Sequence, residues 1–259
     1  MTHSFEEVTR WDGATLEVPE DWLQGKAAFG GLQTVAALRA LEGLVEADRP
    51  LRSMSTSFIG ATGGRPLSAR PTVLRAGRSL TQARCDLLAG DDVVCSVTAA
   101  FGAPRTSVVE RRPIREVGEP TGAMELPFLP GITPNFVQHM DLRWVEGGFP
   151  YTGGEASTHA GWCRHRTDPG SAVAAIVSLL DAWPSPALQQ LKGPAPAASV
   201  TWSAQFLELP DRVTTDDWFW FEAHVVGALG DGFVTMRGEL YDREGRMLAH
   251  LEQLVAVYG

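Results

Sequence analysis

The chain has 259 residues, 44% of them hydrophobic and 20% charged, with a formal net charge of -9. That composition is ordinary for a globular protein with a sizeable core, and the acidic balance excludes the basic stripe of a nucleic-acid binder. No run approaches the ~20 apolar residues of a bilayer span, and the start, MTHSFEEV, lacks a charged-then-apolar leader, so a cytoplasmic location is expected. The three cysteines, Cys85, Cys95 and Cys163, are too few for a disulfide framework and are expected as buried thiols, with Cys85 and Cys95 facing across a hairpin.

In chain order, Ala14–Val18 reads as a short first strand. A helix then opens at Gly30-Gly31, carries Leu32, Val35, Ala36, Leu38 and Leu41, and stops by Arg49-Pro50. Strand patterns follow at Leu51–Ile59, Leu67–Ala76, Leu80–Leu88 and Val93–Phe101, separated by Gly-rich turns. A stretch rich in Pro, Arg and Gly comes next. Phe136–Trp144 then reads as the opening strand of a second half. Its helix is expected to start at Asp168-Pro169-Gly170-Ser171, with the acid as N-cap, run AVAAIVSLLDAW, and stop at Pro184. Strands at Ser199–Leu207, Trp218–Val226, Phe233–Asp242 and Met247–Val257 complete it.

The same order therefore occurs twice. The expected fold is α+β: a double hot-dog, two units each with a curved antiparallel sheet wrapped around a central helix. The expected division is an N-terminal unit over 1–104, a linker over 105–134 and a C-terminal unit over 135–259. Units set side by side cover each other's sheet edges.

Four groups of residues invite chemistry. Asp181 ends a helix that is apolar nearly all round, where a carboxylate opposes the helix dipole and is costly to bury; it fits a general base or, equally, an emerging helix end in solvent. Gln253 interrupts the apolar stripe Ala249, Leu251, Val255, Val257 and needs hydrogen-bond partners, which a water and a carboxylate or the backbone would supply. Ser199 and Thr201 alternate with Val200 and Trp202, so both hydroxyls are expected on one face, where either could hold a water or merely mark strand polarity. Gly30 and Gly31 offer helix-start N–H groups that suit an anion or oxyanion, or a plain helix start.

Arg75 and Arg78 flank a turn, positioned for phosphates or simply solvated. His159, Cys163 and His165 match no zinc spacing, so no metal is expected. No Gly-x-Ser-x-Gly elbow, dinucleotide loop or P-loop occurs.

Several strings together resemble the acyl-CoA thioesterase II family, over nearly the whole chain. FGGLQTVAALRAL at Phe29 resembles its Phe-Gly-Gly helix start, and LRAGRSLTQARCDLLAGDDVVCSVTAAFGAP its long hairpin. Trp162-Cys163-Arg164 resembles its Trp-x-Arg strand, LLDAWPSPAL its helix end with the catalytic Asp, and LAHLEQLVAV its last strand with the catalytic Gln. Two departures stand out: the connection from Asp181 to Ser199 is shorter, and the family's Asp-His-Ser reads Thr201-Trp202-Ser203.

The resemblance implies a double hot-dog that hydrolyses acyl-CoA thioesters. Asp181, Gln253 and Ser199, with Thr201 competing for the hydroxyl position, would hold a water, and Gly31, beside Gly30, would supply the oxyanion N–H. Arg75 and Arg78 are the candidate CoA-phosphate ligands. No cofactor is implied beyond the CoA of the substrate. No nucleic-acid or membrane partner is expected, and family analogy implies association into a homo-oligomer. The rival readings are a non-catalytic acyl-CoA or lipid-binding protein of the same fold, and a hydratase. The latter would need a His-x-x-x-Gly-x-x-x-x-Pro string that the chain lacks.

Overall fold

The computed structural model describes residues 2–62 and 64–258. Its helices are α1 (Phe5–Thr9), α2 (Gly30–Leu41) and α3 (Ala172–Asp181). The first-half strands are β1 (Leu23–Gln24), β2 (Ala27–Ala28), β3 (Leu51–Phe58), β4 (Leu67–Ala76), β5 (Leu80–Ala89) and β6 (Asp92–Gly102). The second half has β7 (Met124–Glu125), β8 (Met140–Glu146), β9 (Thr158–His165), β10 (Ala197–Phe206), β11 (Phe219–Ala228), β12 (Phe233–Tyr241) and β13 (Met247–Val257).

β1 and β2 pair with each other, and the other eleven strands form one antiparallel sheet in the order β4-β5-β6-β3-β10-β13-β12-β11-β9-β8-β7. The halves meet at β3 and β10, paired from Ser57↔Thr201 to Ser53↔Gln205. Period-two alternation gives this seam two unlike faces. Met54, Thr56, Trp202 and Ala204 are buried on the inner face, while Ser55 and Ser203 point outward.

Both long helices lie on the inner face and pack on each other. α3 is buried from Ala174 through Leu180, and α2 from Gly30 through Leu38, because neither presents a polar stripe to water. Their crossing is close: a Cβ on Gly31 would stand 3.0 Å from the Ser178 Cα. Each fully buried Leu, Val or Phe contributes roughly 1.5–3 kcal/mol, so this two-helix seam is a principal source of stability.

Several predicted details are corrected. The α3 N-cap is Ser171, whose hydroxyl accepts from Ala174 N–H; Asp168 instead accepts from Gly170 N–H just outside the helix. Residues 14–18 form no strand and contribute a single bridge, Leu16↔Leu67. Phe136–Trp144 divides into a 3₁₀ turn over Asn135–His139 and then β8, because Pro134 starts a turn. Cys85 and Cys95 are free, buried and diagonal, each opposite another residue (Cys85↔Val97, Leu87↔Cys95).

Part of the stretch 105–134 packs on the outer face of the second half, while Leu126 and Phe128 pack against the main core. Arg115 pairs with Glu222 at 2.7 Å, Val117 lies against the cluster of Trp162, Trp220 and Tyr241, and β7 adds an edge strand to β8.

Candidate active site

Asp181 is the last residue of α3, and its carboxylate lies where α3 meets the start of α2. A Cβ built on Gly30 would stand 2.6 Å from Asp181 Oδ2 and 2.9 Å from Phe58 Cζ. The carboxylate thus occupies the space a side chain at position 30 would need, beside an aromatic ring. Asp181 keeps partial solvent contact while protein is packed around its carboxyl. Removal from bulk water pushes its carboxyl up to about 7, and the nearby Gly31 N–H favours the ionised form and opposes that rise. A carboxyl poised there is suited to take a proton near neutral pH. Cys95 is close enough to feel its charge; burial, chiefly, pushes the Cys95 thiol up, so it is no nucleophile.

Gln253 stands mid-way along β13 on the inner face, opposite Trp202. Its Nε2 donates to Ser199 Oγ at 2.5 Å. This leaves the Gln253 carbonyl oxygen and the Ser199 hydroxyl proton to hold a third group.

The register of β10 decides between the two hydroxyls. Ser199 pairs with Val255 while Thr201 pairs with Leu254, so Val200 is an extra residue in a β-bulge. The bulge reverses the alternation. Ser199 joins Gln253, Val255 and Trp202 on the inner face, whereas Thr201 turns outward and is exposed. The expectation that both hydroxyls share a face fails for this reason, and Thr201 is not brought to the site. β3 closes the group: Ser57 pairs with Thr201, which puts Phe58 beside the bulge as well as beside Asp181.

Arg75 and Arg78 are not brought to Asp181. They line an open hollow at the β4–β5 turn with Ser79 and Gln82. Along β5, seven residues separate the Leu80↔Gly102 pair from the Leu87↔Cys95 pair. At about 3.3 Å per residue that is roughly 23 Å, so the arginines stand at the opposite end of the sheet from Cys95 and Phe58.

Sequence reading missed Phe58, and it placed Cys95 only as a buried thiol with no link to Asp181. The alternation Met54, Thr56, Phe58 already marks the inner face of β3, but contact with an acid 123 residues away leaves no local trace. His159, Cys163 and His165 do share the inner face of β9, and His165 Nε2 hydrogen-bonds Ser178 Oγ at 2.7 Å.

Family models for the acyl-CoA thioesterase N-terminal domain and C-terminal domain match residues 18–102 and 115–257. The chain belongs to the acyl-CoA thioesterase family. Solved structures agree on the fold. A conserved protein of unknown function with hot dog fold from Alicyclobacillus acidocaldarius superposes with TM-score 0.85 at 22% identity, covering 100% of this chain and 99% of its own. An acyl-CoA thioesterase II from Mycobacterium marinum gives TM-score 0.77 at 18% identity, covering 99% of each chain. No curated protein sequence matches the chain. The hot-dog fold, a large antiparallel sheet with few helices, is thereby established. Among the described residues no helix is long and apolar enough to cross a membrane.

Proposed function

We propose that this family member hydrolyses acyl-CoA thioesters to a free acid and CoA with an activated water, in a double hot-dog whose C-terminal unit carries the site. The observation behind this reading is one carboxyl, Asp181, pushed up to about 7 where α2, α3 and β3 meet. The Gln253–Ser199 pair on the adjoining inner face supports it.

In the proposed reaction a water lies between Asp181 and the Gln253–Ser199 pair. Gln253 and Ser199 orient it, and ionised Asp181 takes its proton as the oxygen attacks the thioester carbonyl. Negative charge develops on the carbonyl oxygen, where the helix-start N–H groups of α2 suit an oxyanion; the Gly31 N–H, which contacts Asp181 in the free protein, would have to pass from the carboxylate to that oxygen as Asp181 takes the proton. The C–S bond then breaks, and the thiolate leaves without acid help because a thiol ionises near ~8.5. No cofactor is called for beyond the CoA of the substrate.

The test is thiol release from acyl-CoAs of graded chain length, with wild type beside Asp181→Asn. Release that falls at least a hundredfold in the variant supports the mechanism. Binding without release in wild type would favour the acyl-binding reading instead.

A further inference from the structure

A cationic recess lies at the end of the sheet remote from Phe58 and Cys95. Two hollows, of about 230 and 430 Å³, adjoin there across Ser79 and Leu80, which line both. Arg75 and Arg78 line the first, and Arg52 and Arg105 the second. The strands fix this grouping. Arg75 of β4 pairs with Gln82 of β5, and Leu80 of β5 with Gly102 of β6. These positions are on the outer face, because the alternate residues Thr81 and Ala83 are buried inward. Arg52 is the extra residue of a bulge in β3, between Leu51 and Ser53. It lies across Gly102, with its Cγ 3.3 Å from where a Cβ would be, and its Nε donates to Gly102 O at 3.0 Å. A side chain at position 102 would fill the bed of the Arg52 stem.

No carboxylate lines either hollow. Among the described residues none of these four arginines is ion-paired, whereas Arg49, which donates to Arg78 O, is held by Glu46 at 3.0 Å. The chain has 31 Asp and Glu against 22 Lys and Arg, so an acid-free recess with four unpaired cations runs against its average. Like charges gathered in one place repel unless an anion lies among them. Planar guanidinium forks meet phosphoryl oxygens two at a time. Two adjoining hollows with a pair of arginines each suit linked phosphoryl groups better than a single small anion.

This end of the sheet has no counterpart of the water-holding pair. Beside the β3 bulge, Leu51 and Ala99 take the places that Ser199 and Gln253 take beside the β10 bulge. Both are apolar, so a ligand here is bound and not hydrolysed.

We infer that Arg52, Arg75, Arg78 and Arg105 form a second, non-catalytic site that binds a small polyphosphate, the group shared by a nucleoside triphosphate and an inorganic polyphosphate. The site is separate from the acyl-CoA reading of Asp181 and does not depend on it.

The test is calorimetry on the full chain, titrated with inorganic tripolyphosphate, ATP and orthophosphate. Wild type stands beside Arg75→Ala/Arg78→Ala and Arg52→Ala/Arg105→Ala, with thermal melts verifying that both variants fold. Wild type is expected to bind one tripolyphosphate per chain at least about tenfold tighter than orthophosphate, and each double variant to weaken that binding at least about tenfold. ATP binding as tightly as tripolyphosphate identifies a nucleotide as the ligand, and weaker ATP binding identifies the inorganic chain. The site is overturned if neither polyphosphate binds wild type saturably, or if binding survives both double substitutions. A tenfold rise of KM for acyl-CoA in Arg75→Ala/Arg78→Ala would make the recess part of the CoA site and overturn it equally.

Discussion

Gly30 and Asp181 share one small volume: the acid's Oδ2 stands 2.6 Å from where the glycine's Cβ would be. The two residues come from different halves of the chain, so the glycine is kept small by a carboxylate that only the folded protein puts there. Gly30→Ala must displace either that carboxylate or the Phe58 ring at 2.9 Å. The expected result is a 10–100-fold loss of thioester hydrolysis, since an approach of this kind loses about that much when misplaced by an ångström. The helix should survive, because alanine is a better helix former than glycine. Rates and melting temperatures of wild type and variant give the check.

The pH profile follows from Asp181. As the general base it must be ionised, so hydrolysis should rise with pH through an apparent pKa near about 7 and then level off. A rate that is flat from pH 5 to 9 would remove Asp181 from the proton transfer.

The same carboxyl acts on stability with a definite sign. Its folded pKa lies above the ordinary 3.8, so between those values the unfolded chain loses the proton first. Stability therefore falls as pH rises through that window, and ionised Asp181 is a liability above about 7. Asp181→Asn should consequently be more stable than wild type at pH 8, by about 1–3 kcal/mol, with the difference vanishing below pH 4. Urea denaturation at the two pH values measures it.

The bulge in β10 separates two hydroxyls that lie two residues apart. Ser199→Ala removes the partner of Gln253 Nε2 and should lower kcat at least tenfold. Thr201→Ala, on the exposed outer face, should stay within about twofold of wild type. The reverse pattern in steady-state kinetics would mean that Thr201, not Ser199, supplies the hydroxyl.

Arg75 and Arg78 offer a control. They lie at the sheet end remote from Phe58 and Cys95. The double replacement by Ala should leave KM for acyl-CoA within about twofold. A tenfold rise would return them to the CoA site.

Much of this protein is set by local pattern. The apolar runs of α2 and α3 leave no face for water, so both helices had to be central. The strand order after each helix follows from alternation and Gly-rich turns. Asp181 and Gln253 were conspicuous for one reason: each is a polar group in an apolar run that needs a partner.

The tertiary structure decided what depends on register and long-range contact. An inserted Val200 is invisible to strict alternation, yet it turns Ser199 inward and Thr201 outward. Arg75 and Arg78 suit phosphates by residue type, and type carries no information on which end of a sheet their turn occupies; the structure puts it at the end remote from Phe58 and Cys95. The acidity of Asp181 depends on burial at the helix crossing, where Gly30, Gly31 and Phe58 arrive from the first half and the acid from the second. The sequence by itself determines which groups are out of place in a core. Only packing determines which of them meet, because desolvation and contact fall off over a few ångströms while the chain brings together residues more than a hundred positions apart.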